Sequence, residues 1–418
     1  MIRFYLSFSL VILSFFSFAQ GSWTTLSIPD ATRYDDVFFI NPNVGWTAGG
    51  WNLKVHKTID GGETWTEAGL INNKYLRSIE FFDENIGLCG SLNGSLYRTT
   101  DGGQNWTDVA GNVNHALPGV CGLARADENT IYGVGIWSEP AFLIKSVDKG
   151  LNWTYTDMSA YANSLIDVFF IDANHGFATG SKSDEEGGII LYTDDGGATW
   201  EEKYRTHGFT DRIWKIQTPD SIHFYGAVEA LTEGNPTRII KSDDGGQTWE
   251  TVIVNNGYFY CQMVGFIDSR HGWTGGNGTL FETTDGGKKW KKLLLGSTYN
   301  RFIKINDQLA YMTGKRVYKY TRVITGIPDD EPYDPIHSLD VSPNPAKSVA
   351  TITVKFGNPT TAQIFVYSAV GQVMQKVFTG NAEGEKTFTV DISNLPAQTL
   401  LVILKTNEGL ETRKLLKN

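Results

Sequence analysis

Three arginines occupy similar places in a repetitive chain: Arg77 in the run YLR, Arg212 in FTDR and Arg301 in YNR. A guanidinium stays charged and offers forked donors, so arginines facing one opening could grip a carboxylate or a run of carbonyls. Ring side chains recur at the same stage of each repeat, as Tyr34, Tyr75, His115, Tyr161, Phe209, Tyr258 and Tyr299, while Asp35 and Gln262 stand where other repeats carry Arg. Aromatic faces beside guanidiniums suit a sugar, a carboxylate or a peptide. The plainer reading is structural, with each ring sealing a wedge between neighbouring sheets and each Arg pairing with a nearby acid. A second set, Trp137, Asp184, Glu185, Glu186, Glu229 and Glu233, lies in three long loops over residues 136–141, 181–188 and 228–237. It reads either as an acidic wall for a cation or basic partner or as solvated surface.

What must position these residues is a repeat. TIDGGETW (residues 58–65) returns as TTDGGQNW, SVDKGLNW, TDDGGATW, SDDGGQTW and TTDGGKKW, placing Asp60, Asp101, Asp148, Asp195, Asp244 and Asp285 at spacings of 41, 47, 47, 49 and 41 residues. That is the period of a four-stranded propeller blade. Within each copy the Asp carboxylate accepts from turn N–H groups, and the glycines permit positive φ. A Ser or Thr two positions before the Asp adds an anchor, and the Trp closes the turn.

Between turns the chain alternates in short β-type runs. The first unit reads DVFFI, GWTAGG, KVHKT and, after the turn, TWTEA, and five further units repeat the pattern. A seventh unit has three runs, FIKIN, LAYMTG and RVYKYT, but lacks the turn and the Trp-bearing fourth strand. GSWTTL (residues 21–26) supplies the missing fourth strand, with Trp23 where Trp65 sits in its own unit. The expected fold is therefore all-β: a seven-bladed propeller over residues 20–323, closed by its N-terminal strand so that no sheet edge is left free. In such a ring the loops entering the inner strands open on one face and the repeated turns on the other.

The repeated turn resembles the Asp-box of sialidases, sortilin-type receptors, xyloglucanases and photosystem II assembly-factor propellers. The resemblance to the last group extends over the whole ring, through strand, Gly-Trp-x-x-Gly, strand and Thr-x-Asp-Gly-Gly-x-x-Trp. It implies a non-catalytic protein-binding scaffold, the boxes being peripheral and structural, and an arginine patch to which only Arg77, Arg212 and Arg301 correspond. With Tyr34, Tyr75, Tyr161 and Tyr299 these make the candidate ligand-binding set.

Residues 1–19 carry one charge, Arg3, then an uncharged run ending Ser17-Phe18-Ala19, which reads as a signal peptide cut after Ala19. No stable membrane span is expected after cleavage. Residues 324–340 (ITGIPDDEPYDPIHSLD) read as a linker. Residues 341–418 alternate in strands suited to a small β-sandwich. Pro343-Asn344-Pro345, Val366-Tyr367 with Gly371, residues 391–396 and the terminal Lys414-Leu415-Leu416-Lys417 resemble the type A C-terminal sorting domain of type IX secretion cargo. Gln398 and Leu400 depart from it where Gly and Tyr are usual. The resemblance implies the type IX machinery as a partner and a location outside the cell or on its surface.

The formal net charge of −10 disfavours nucleic acid. Cys89, Cys121 and Cys261 have no metal-type spacing and read as buried thiols, and no cofactor or metal is expected. A sialidase needs an arginine triad, a Tyr–Glu nucleophile and an acid/base Asp. The three arginines imitate the triad, but sialidases have six blades and an early Arg-Ile-Pro-type motif that does not occur here. Asp-box xyloglucanases use two propellers where one is present. The expectation is thus a secreted or surface-attached binding module for a protein or glycan, with a sialidase-like or xyloglucanase-like hydrolase as the alternative.

Overall fold

A computed structural model of the chain describes residues 21–322 and 337–418, apart from residues 30–31, 52–53, 70, 72, 139, 184–185, 231–235, 369–372, 396 and 407–408. The signal peptide and most of the linker expected from the sequence lie outside the described residues, as do Asp184, Glu185 and Glu233. No helix among the described residues is long and apolar enough to cross a membrane. The chain divides into two compact units, residues 1–325 and 326–418.

In the first unit the described residues form seven antiparallel sheets. Their first strands are Asp36–Phe39, Tyr75–Phe81, Gly122–Arg125, Ser164–Phe170, Asp211–Gln217, Cys261–Phe266 and Tyr299–Asn306. Each of these packs against its successor, and Tyr299–Asn306 packs back on Asp36–Phe39. The seventh sheet runs in the order Gly21–Thr25, Val317–Arg322, Leu309–Gly314, Tyr299–Asn306, with Trp23 opposite Tyr320. The orphan strand is therefore paired as its Trp implied. Trp23 itself is half-buried rather than buried, packed edge-on against Trp273 at 5.1 Å and tilted on Tyr320 at 5.3 Å.

Neighbouring sheets are joined by stacked rings. Trp46 lies on Phe81 at 3.7 Å, Tyr132 on Phe170 at 3.9 Å, Tyr225 on Phe266 at 3.5 Å, and Tyr311 of the seventh sheet on Phe39 of the first at 3.9 Å. Three of these second-strand rings also donate to the repeated turn of the next sheet: Trp46 Nε1 to Gly102 O, Tyr132 Oη to Gly196 O and Tyr311 Oη to Gly61 O. The repeated turn is thus a clamp between sheets as well as a hairpin closure.

Inside the turn the expected bonds are present. Thr58 Oγ1 donates to Asp60 and accepts from Gly62 N, and Asp60 accepts from both the N–H and the hydroxyl of Thr64. Lys149 takes φ +56° where the other copies have glycine, a strained choice for a side-chain-bearing residue. The Thr64 bonds hold the Asp60 carboxyl at about 2, and the Thr199 bonds do the same for Asp195. Both sit below the ordinary Asp value of about 3.9. A carboxyl with a depressed folded pKa stabilises the native state above its unfolded pKa and loses that contribution as pH falls through the folded value. Stability is therefore expected to decline between about pH 4 and 2, and Asp60→Asn and Asp195→Asn together to shrink the acid-dependent part of a thermal melt series.

The first sheet departs from expectation at GWTAGG. Its strand ends at Ala48, and Gly50–Trp51 crosses to pair with Tyr75 and Leu76 of the second sheet. A Cβ on Gly49 would come 2.3 Å from Asp35 N, so only glycine fits this crossing. The three cysteines are buried thiols.

In the second unit the strands are longer than the sequence reading gave. Val349–Ser368 and Val373–Asp391 pair along most of their lengths, interrupted between Phe356 and Thr360. His337–Ser342 pairs with the first half of Val349–Ser368 and Gln398–Thr406 with the second. Residues from both halves, Ile352 and Val354 with Ile364, Val366, Val402 and Leu415, share one core.

Candidate functional site

The end of the first unit where chain enters the inner strands carries a cavity of about 690 Å³ lined by Arg33, Tyr75, Arg77, Trp137, Arg212, Trp214, Glu229 and Gln262, with Leu92 and Asn93. No residue of the repeated turns lines it. It lies on the face the sequence reading selected.

The three arginines do not meet there on one level. Arg212 is opposite Glu229 near the mouth. Arg77 falls in a β-bulge between the pairs Leu76–Ser91 and Ser78–Gly90. Arg301 follows a bulge and pairs with Thr313. Among the described residues, five inner strands carry such a register shift in their first half, which leaves Arg77, Ile166, Trp214, Gln262 and Asn300 unpaired there. A bulge re-aims side chains and breaks the period of two, so equal spacing from a preceding aromatic does not give equal depth.

Arg77 is 3% exposed. It pairs with Asp35, its Nε donates to Cys121 Sγ at 3.4 Å, and its guanidinium lies 5.4 Å over the Trp214 ring. Burial alone would lower its pKa, and the Asp35 carboxylate together with Cys121 and Tyr75 more than reverses this. Arg33 also binds Asp35, at 2.7 Å, and donates to Gln262 Oε1 at 2.8 Å, while Gln262 Nε2 donates to Glu229 at 3.2 Å. Burial pushes the Glu229 carboxyl up against the opposing effects of Gln262 and Arg212. Burial, with Asp35 adding to it, pushes the Tyr75 phenol up to about 12.

Arg301 lies away from this cavity, within 3.3 Å of carboxylate oxygens of both Asp36 and Asp167. Lys215 reaches Asp167 at 3.0 Å. Asp36 Oδ2 and Asp167 Oδ2 accept the backbone N–H of Ile79 and Ile216, each on the next inner strand. This layer is a belt of ion pairs tying sheets together. Removing one partner of a buried pair leaves an uncompensated charge, so Arg301→Ala is expected to cost about 3 kcal/mol, the lower end for such losses because Lys215 still serves Asp167. A denaturant midpoint unchanged by the substitution would remove the belt's structural role.

Of the four tyrosines, only Tyr75 lines the cavity. Tyr34 is fully buried, its hydroxyl donating to Pro29 O at 2.9 Å, and Tyr299 is buried in the core shared by the sixth and seventh sheets. Tyr161 is half-buried against the third and fourth sheets. These three rings pack in or against hydrophobic clusters that span neighbouring sheets. Of the acidic wall, Glu229 lines the cavity, whereas Glu186 pairs with Arg205. Arg33 and Trp214 were not singled out by the sequence, because neither keeps the spacing of Arg77, Arg212 and Arg301. Trp214 follows Arg212 by two residues in an apolar strand and reads as core, and a bulge turns it to the cavity.

The fold and this cavity define a β-propeller with a polar, aromatic-lined axial mouth. Residues 17–153 and 145–258 match the photosynthesis system II assembly factor YCF48 family, and the chain belongs to that family. Residues 340–418 match the secretion system C-terminal sorting domain. The chain is 26% identical over 342 residues to the photosystem II assembly lipoprotein Ycf48 of Synechococcus sp. (strain CC9902), covering 71% of this chain and 87% of that protein. Among solved structures, YCF48 from Cyanidioschyzon merolae superposes with TM-score 0.56 at 20% identity, covering 72% of this chain and 98% of its own. YCF48 bound to D1 peptide gives TM-score 0.54 at 19% identity, covering 72% and 96%. A sorting domain of this kind marks a secreted or outer-membrane-attached protein.

Proposed function

We propose that the chain is a seven-bladed propeller over residues 20–323, closed by its N-terminal strand, that acts outside the cell as a non-catalytic binding module for a protein or glycan. A leader, residues 1–19, is removed, and a sandwich-type sorting domain, residues 341–418, follows a linker over 324–340. The observation that carries the binding reading is the axial cavity, whose lining includes Arg33, Arg77 and Arg212 with Tyr75, Trp137 and Trp214, Arg77 lying over the Trp214 ring. Preorganised donors and aromatic walls bind a ligand without any bond being broken. The carboxylates that a hydrolase would use are engaged otherwise: Asp35 pairs with Arg33 and Arg77, and Asp211 pairs with Arg238. A family structure described as bound to a peptide supports the use of this fold for binding.

The test is a glycan array and a panel of surface proteins probed with the purified chain, run beside sialidase and glucanase assays. Retention of a ligand with no product released is the expected result. Turnover that disappears on replacing Asp35 or Asp211 overturns the reading in favour of a hydrolase.

A further inference from the structure

Resting on the binding reading above, we infer that the axial cavity recognises a sugar carrying a single carboxylate, a uronate at the end of or branching from an otherwise neutral glycan. The lining brings the guanidiniums of Arg33, Arg77 and Arg212 together with the Glu229 carboxylate, and Asp35 pairs with Arg33 and Arg77. Guanidiniums suit an acid group on the ligand, whereas a chain of net charge −10 repels a polyanion.

The unmatched hydrogen-bonding capacity points the same way. Among the described residues, Arg77 Nη2 and Trp214 Nε1 are buried side-chain donors with no hydrogen-bond partner, and both residues line the cavity. Arg77 is 3% and Trp214 6% exposed. Buried donors without partners are costly, and both are donors only, so the group that relieves them is an acceptor such as a carboxylate. Both residues line the cavity, and side-chain adjustments commonly accompany binding.

The remaining features separate a sugar from a peptide. Peptides that bind sheets add a strand to a free backbone edge. Here three inner-strand N–H groups are already taken: Ile79 N by Asp36, Ile216 N by Asp167 and Phe266 N by the side chain of Gln217. What the mouth offers is Trp137, 39% exposed and stacked at 6.1 Å on Trp214. The weakly positive C–H face of a pyranose packs on the negative face of such a ring. Glu229, Gln262 and Asn93 around it can pair with hydroxyls, which both donate and accept.

The experiment is calorimetric titration of the full chain with a xylo-oligosaccharide bearing one glucuronate, its methyl ester, the unsubstituted oligosaccharide, and a peptide with a free terminal carboxylate, with released sugar measured in each cell. The acid sugar is expected to bind at least about tenfold more tightly than its ester, since charge-assisted hydrogen bonds are roughly twice as strong as neutral ones. Trp137→Ala and Arg77→Lys are each expected to weaken it by about tenfold, a loss of the size seen when an aromatic anchor or a forked donor is removed. Arg77→Lys keeps a cation opposite Asp35 and deletes the Nη2 donor. Should that variant fail to fold, the exposed Trp137 still decides the matter. Equal binding of acid and ester, no binding of the acid sugar, or binding of the peptide alone overturns the inference while leaving a binding module in place. Released product overturns both.

Discussion

Deleting Gly21–Thr25 is expected to produce the largest loss of stability of any short truncation of the propeller unit. Five residue pairs join this strand to Val317–Arg322, and without it that strand becomes an open edge with a row of unpaired backbone groups. The loss also removes Trp23 from Trp273, Phe302 and Tyr320, the aromatic cluster on which the sixth and seventh sheets meet. Trp23→Ala alone is expected to cost about 2–3 kcal/mol, below the range for a fully buried Trp because its ring is half-exposed. The two variants should therefore rank in thermal melts, with the deletion lower and also prone to associate in size-exclusion runs. An unchanged melting temperature for the deletion would mean that these residues are a tail whose pairing carries no weight.

Removing Asp340–Asn418 is expected to abolish appearance of the protein outside the cell while leaving the propeller folded. The second unit has a core of its own, built from residues such as Leu339, Ile352, Ile364, Val402 and Leu415. That core draws only on residues of the second unit, and the propeller sheets have cores of their own. Fractionation of cells expressing the truncated chain should find it inside the outer membrane with an unaltered melting temperature. Undiminished surface display would defeat the export role, and a collapsed melting temperature would show that the unit is needed for folding instead.

Much of the architecture is written in local chemistry. Asp60 and its five counterparts accept from residues within four positions, so the turn they make depends on little beyond the eight residues of the repeat. A hairpin with its own side-chain bonds marks its position in any sequence, and its period sets the size of the repeating unit. The orphan Trp23 strand was legible for a related reason: a unit with three strands and a strand without a unit are complementary. The long paired strands of the second unit were not legible, because Val349–Ser368 passes through a gap in pairing near Phe356 that reads locally as a break between two elements.

The sequence by itself determined the repeat, the order of strands in each unit and the arginines and rings that precede the inner strands. Only the tertiary structure decided which of those side chains share a cavity. Arg77, Arg212 and Arg301 look equivalent along the chain, yet bulges in the inner strands set Arg77 and Arg212 in the lining and Arg301 between Asp36 and Asp167. Depth along a strand depends on register with its neighbour, and register depends on residues far away in sequence. The same long-range contacts hand the Trp46, Tyr132 and Tyr311 donors to turns of the following sheet and bury Tyr34 and Tyr299, which no local pattern distinguishes from Tyr75.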